Sequence, residues 1–216
     1  MSAKAPYHHG NLRAAMIEAA VEIVSEAGAE RLSVREAARR AGVSSGAPFR
    51  HFADRSALML AVAEDGMTKL RKAIEARLAA RSGTHPLAML MAIGDAYLAW
   101  AVGHPTHYRV LGDRTQIDFA GSPLLVADNL WIRTRMEALF VEAQSSGLLR
   151  PCDLALVHLQ SRALAYGLAR MHVDGHLPEF GIAKSRARPA MHEALAQFLI
   201  ALAADPTAAR RALDAS

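Results

Sequence analysis

Apolar residues recur along this chain at three- and four-residue spacing, and no alternating run of Val, Ile, Thr and aromatics stands out between turn residues. The pattern predicts an all-α fold. Residues 11–27 carry Leu12, Met16, Ala19, Ala20, Ile23, Val24 and Ala27 on one stripe, with Glu18, Glu22 and Glu26 off it and Gly28 as the stop. Asp54 caps a long helix predicted to reach about Arg81, with Leu58, Leu60, Ala61, Met67, Leu70, Ile74 and Leu78 inward. Ser82, Gly83 and Thr84 break the pattern before Pro86 opens another helix, at the end where proline is tolerated. Further helices are predicted over 87–102, 106–111, 124–143, 153–173 and 190–203. Residues 112–122 read as a loop, 175–189 as a turn-rich basic stretch, and the tail from Asp205 as frayed.

The stretch 32–52, LSVREAARRAGVSSGAPFRHF, reads as two short helices joined by a tight glycine turn. Ser33 and Glu36 have capping-box spacing: the hydroxyl accepts from the Glu36 amide, and the Glu36 carboxylate accepts from the Ser33 amide. Val34, Ala37, Ala38 and Ala41 make a lean apolar face that a second helix can cross closely, while Arg35, Arg39 and Arg40 lie largely off it. Gly42 suits the left-handed C-cap of a sharp stop. Ser44 or Ser45 then opens a second helix through Gly46, Ala47, Pro48, Phe49, Arg50, His51 and Phe52. Its exposed residues are small or hydrogen-bonding, which lets a backbone approach base edges in a major groove. Pro48 conflicts with a cap at Ser44 and less with one at Ser45, so a late or irregular start is expected. This is how a helix-turn-helix presents itself.

At 216 residues the chain has room for one small domain and one larger one. It is 52% hydrophobic, yet no run approaches the roughly 20 apolar residues of a membrane span, so no membrane association is expected. The N-terminus lacks the apolar core of a secretory signal, and the single Cys152 rules out an intramolecular disulfide framework; a cytoplasmic location is expected. A formal net charge of +4 permits nucleic-acid binding without demanding it.

A first helix ending in Glu-Ala-Gly, then LSVREAARRAGVS, an aromatic-x-His-Phe ending, and a long helix after Asp54-Arg55 together resemble the DNA-binding domain of TetR-family transcriptional regulators, over about Tyr7 to Met67. The rest is similar in length and helix order to that family's ligand-binding and dimerisation domain, and Trp100, Gly103, His104, Pro105 and Tyr108 resemble its WHG subgroup. The resemblance implies a helix-turn-helix domain at 1–54, a helical effector-binding and dimerisation domain at 55–204, and a tail at 205–216. It places Arg35, Ser44, Ser45, Ala47, Pro48, Phe49, Arg50 and His51 at DNA-facing positions, with Arg55 on the phosphate backbone. Phe49 departs from the tyrosine common in the family, and with it goes one hydroxyl donor to a phosphate. His8 and His9 sit within a family-like YHHGNLR opening.

Met91, Tyr97, Trp100, Met136, Phe140 and Met171 fit either a bundle core or the wall of an apolar pocket, and His104 and Tyr108 flank the same region. His104 and His107 stand at helical ligand spacing, but no third ligand is convincingly spaced, so no metal and no cofactor are expected. The lack of a second histidine beside His192-Glu193 and of a Gly-x-Ser-x-Gly elbow argues against an enzyme. The reading is a regulator that binds double-stranded DNA as a homodimer, most simply a repressor released from a palindromic operator by a small lipophilic effector. Its interface is expected on Leu156, Leu159, Ala163 and Tyr166 with Met191, Leu195, Phe198 and Leu202. An effector-independent regulator or activator, and a small helical enzyme, are the alternatives.

Overall fold

The computed structural model describes residues 12–43, 48–81 and 85–215. Among them are nine α-helices: α1 (Leu12–Ala27), α2 (Val34–Ala41), α3 (Arg55–Ala79), α4 (Pro86–Gly103), α5 (Pro105–Gly112), α6 (Pro123–Ser145), α7 (Leu154–Val173), α8 (Ala187–Leu202) and α9 (Pro206–Asp214). There is no strand among the described residues, only an isolated bridge between Leu149 and Ala203. They divide into two compact units, one from Met1–Gly66 with Thr106–Leu125 and the other from Met67–Pro105 with Val126–Ser216. Helix α3 contributes residues to both.

The first unit is built on α1, whose Met16, Ile17, Ala20 and Ile23 are buried. Ile17 was not on the predicted stripe, whereas Ala27, which was, is exposed. Helix α2 buries Val34, Ala37 and Ala38, and Phe52, Leu58, Met59 and Val62 complete the core. The segment Thr106–Leu125 adds Tyr108, Val110, Ile117 and Leu125. Polar ties join it to α3: His107 Nε2 lies 2.9 Å from Asp65 Oδ2, and the Ser122 hydroxyl donates to Glu64 at 2.9 Å. Gly66 is needed for space, because a Cβ there would come within 2.9 Å of the His107 Cβ.

In the second unit α4 packs on α7, α8 and α9. Its 18 residues have a mean hydropathy of 1.4, with Asp95 interrupting the apolar run, so it is long and apolar enough to cross a membrane by length and composition only. Two-thirds of it, 67%, is buried, so its apolarity serves the core of a helical bundle. Met67, Leu70 and Ile74 of α3, Leu139, Phe140 and Ala143 of α6, and Met191, Leu195 and Leu199 of α8 fill the same core.

Three expectations for this unit are corrected. Helix α8 begins at Ala187, inside the stretch read as turns. The tail does not fray: Asp205 accepts from the Thr207 and Ala208 amides, Pro206 opens α9, Ala209 and Leu213 are buried, and Arg210 reaches Glu193 on α8 at 2.5 Å. The isolated sequence of α9 is too short to hold a helix alone, and its stability comes from packing. Of the apolar positions assigned to an interface, Met191 and Leu195 are turned into the unit's own core. Leu156, Leu159 and Tyr166 of α7 are instead 54%, 63% and 42% exposed.

Candidate nucleic-acid interface

The local geometry of the turn follows from its residues. Ser33 Oγ accepts from the Glu36 amide at 3.1 Å and starts α2. The reciprocal half of the capping box is replaced: the Glu36 carboxylate accepts from Arg39 at 2.6 and 2.9 Å. Gly42 ends α2 at φ 69°, ψ 28°, and the Val43 amide donates back to the Ala38 carbonyl at 3.0 Å, the closure that a left-handed C-cap provides. Ser44, Ser45, Gly46 and Ala47 lie outside the described residues, as do His8 and His9.

The part of the second helix that is described is a 3₁₀ turn at Pro48–Arg50, closed by the His51 and Phe52 amides donating to the Pro48 carbonyl at 2.9 Å. Pro48 explains the irregularity, since it has no amide of its own to donate and disfavours helical angles in the residue before it. Its ring is also fully buried, which removes it from the DNA-facing set. Phe49, Arg50 and His51 are exposed on this turn, Phe49 by 45%, while Phe52 is buried at 2%.

The arginines divide into two groups. Arg39 is paired with Glu36, and Arg40 with Glu26 at 2.7 Å and Glu22 at 3.6 Å on α1. The Arg40 and Arg39 hydrogen bonds hold the Glu26 and Glu36 carboxyls below their usual range. Arg35 and Arg50 are exposed and have no ion-pair partner among the described residues. Arg31, not among the residues expected at the interface, is exposed at the end of the 3₁₀ turn Ala29–Arg31, just before α2.

Arg55 is placed differently from the expectation. Its guanidinium donates to the Ala29 carbonyl at 3.0 and 3.2 Å and to Gln116 Oε1 at 2.8 Å, tying the turn after α1 to the start of α3. Nothing in local sequence announces a partner 61 residues away.

The residues expected to hold an effector fall in both units. Met91 and Phe140 are fully buried, Trp100 is 4% exposed, and Tyr97, His104, Met136 and Met171 are half-buried. The Tyr97 and Trp100 rings lie 5.9 Å apart at 42°. Tyr108 is buried in the first unit. Among the described residues no three His, Cys, Asp or Glu side chains are grouped to hold a metal ion.

Comparison with known proteins completes the picture. Residues 16–62 match the family of bacterial regulatory proteins described as the tetR family, and residues 90–198 match the tetracyclin repressor-like C-terminal domain. The HTH-type transcriptional regulator BetI of Yersinia pestis (strain Pestoides F) is 36% identical over 83 residues, 38% of this chain; the chain spans only 42% of that relative. BetI of Escherichia coli O45:K1 is 26% identical over 171 residues, 76% of this chain and 78% of that protein. A solved protein of unknown function from Rhodococcus sp. RHA1 is 29% identical, with a TM-score of 0.73 over 93% of this chain and 100% of that one. The matches and the fold define a helix-turn-helix transcriptional regulator. The chain belongs to the TetR family.

Proposed function

We propose that this regulator is a repressor that binds a palindromic operator as a homodimer and is released by a small lipophilic effector. The observation that carries the DNA reading is the separation of the arginines: Arg39 and Arg40 are held in intramolecular pairs, while Arg35 on α2 and Arg50, between Phe49 and His51, are exposed. Exposed cations with no ion-pair partner among the described residues suit phosphate contacts and base edges. In this reading residues 1–54 carry the DNA contacts, with Ser44, Ser45 and Ala47 completing them, and 55–204 carry the effector and the partner subunit. Arg55 acts by positioning the turn after α1, and its contact with DNA is dropped from the proposal.

The dimer reading is supported by α7. Leu156, Leu159, Ala163 and Tyr166 follow a 3, 4, 3 spacing along one side of the helix, and all are exposed. A contiguous apolar stripe on a regulator is suited to a second copy of the chain. A two-fold dimer reads two half-sites about one helical turn apart, which one short recognition segment cannot specify. The effector is assigned to the region of Met91, Tyr97, Trp100, His104, Met136, Phe140 and Met171, and must bind DNA-competent and incompetent forms with different affinity to act.

Selection of bound fragments from randomised DNA tests the proposal. An inverted repeat is the expected outcome, with affinity falling steeply as salt rises. A single asymmetric site, or no enrichment at all, would overturn it. Light scattering at micromolar concentration checks the dimer, which Leu159→Glu should convert to monomer.

A further inference from the structure

Phe180, in the connection between α7 and α8, is 67% exposed, the highest value of any large apolar side chain among the described residues. The turn that carries it is closely tied. Leu177 is buried, the Ile182 amide donates to the Leu177 carbonyl at 3.3 Å, Gly181 closes the turn at φ 71°, and His176 Nδ1 lies 2.9 Å from Glu179 Oε1. Holding a phenyl ring in water is unfavourable, burial against a partner removes that penalty, and a pre-formed turn spares the entropy of ordering the segment on contact. Lys184 and Arg186 follow, both exposed and without an ion-pair partner among the described residues.

The other end of α7 has the complementary character. Its 20 residues put about 30 Å between the Phe180 turn and the junction of α6 with α7. At that junction Gln144 Nε2 donates to the Cys152 carbonyl at 3.0 Å and the Phe140 and His158 rings lie 6.2 Å apart, so the end of α6 is fixed beside the start of α7. Val141 and Leu156 are 55% and 54% exposed there, and the adjacent Glu142 is exposed with no ion-pair partner among the described residues. One end of α7 is therefore apolar and basic, the other apolar and acidic, with exposed Leu159 and Tyr166 between them. A two-fold axis crossing α7 near its middle sets two copies of the helix antiparallel and brings each end against the opposite end of the partner. A parallel pairing would instead set like charge on like.

We propose that Phe180 is an anchor of the homodimer, seated on the partner subunit's Val141 and the partner subunit's Leu156, with Lys184 facing the partner's Glu142. The contact occurs twice, once at each end of the antiparallel α7 pair. It rests on the homodimer reading and adds to it which surfaces meet and in which direction the two copies run.

Disulfide cross-linking of the full chain tests it. In a Cys152→Ser background, which removes the native thiol, a Val141→Cys chain and a Phe180→Cys chain are mixed, left to exchange subunits and mildly oxidised. A covalent dimer is expected from the mixture and from neither chain alone, because the two-fold axis sends like positions to opposite ends. Sedimentation should also show that Phe180→Asp weakens dimerisation at least about tenfold, as loss of an interface anchor does. Phe180 is exposed in the single chain, so this variant should keep its fold. A dimer undiminished by Phe180→Asp, or a mixture that gives no covalent dimer, would overturn the contact and leave the homodimer reading standing. An unsubstituted chain that stays monomeric would overturn both.

Discussion

Arg55 donates to Gln116 Oε1 at 2.8 Å, across 61 residues of sequence, and the same guanidinium holds the Ala29 carbonyl. A basic residue at the start of the long helix thus secures the frame of the helix-turn-helix from within. Arg55→Met should destabilise the protein by about 1.5–3 kcal/mol in denaturant unfolding, the range for hydrogen bonds to a charged group. Operator affinity should fall while the slope of log affinity against log salt stays unchanged. A slope reduced by about one would instead make Arg55 a phosphate contact.

Arg35 and Arg50 should behave in the opposite way. Alanine at either position is expected to leave the melting temperature nearly unchanged, because both side chains are exposed. Each substitution should weaken operator binding by about 1–3 kcal/mol if it removes a base contact, or reduce the salt slope by about one if it removes a phosphate contact. Fluorescence anisotropy across a salt series separates the two, and an unchanged affinity and slope would remove that residue from the interface.

Two glycines are required for different reasons. At Gly42 a Cβ would meet nothing within 4 Å, but φ is +69°, so Gly42→Ala should cost about 1–2 kcal/mol through conformation alone. At Gly66 the obstacle is the His107 Cβ at 2.9 Å, and Gly66→Ala should cost about 1–3 kcal/mol through overpacking of α5 against α3. Removing that Cβ with His107→Gly should relieve the second penalty and leave the first intact; a double-mutant cycle by urea unfolding measures this.

Docking of α9 should be acid-sensitive. Hydrogen bonds from Arg210, and next from Gln197, lower the Glu193 carboxyl from 4.5 to about 2. A carboxyl depressed in the folded state contributes its full stabilisation above its unfolded value and loses it as pH falls from about 4.5 toward 2. Carboxyl carbon NMR should place the Glu193 midpoint near 2, and Arg210→Gln should raise it toward 4.5. The pair is well exposed, so added salt should raise the midpoint as well.

The stop at Gly42, the start at Ser33 and the cap at Asp54 were legible in the residues, because caps and turns depend on the few neighbours next to them. Periodicity likewise located α1, α3, α4 and α7, whose buried faces repeat at helical spacing. Pro48 was legible as a source of irregularity, and its burial was not. What tertiary structure alone decided is which partners distant residues find. Arg55 met Gln116, Arg40 met Glu26, Met191 and Leu195 turned inward while Leu159 stayed exposed, and a tail with little helical stability of its own became α9 through Leu213 and Arg210. Local hydrogen bonds and φ preferences are properties of short segments, so sequence determines them. Burial and long-range pairing depend on which segments pack together, and the pattern of one helix does not say which of its apolar or charged residues its neighbours will cover.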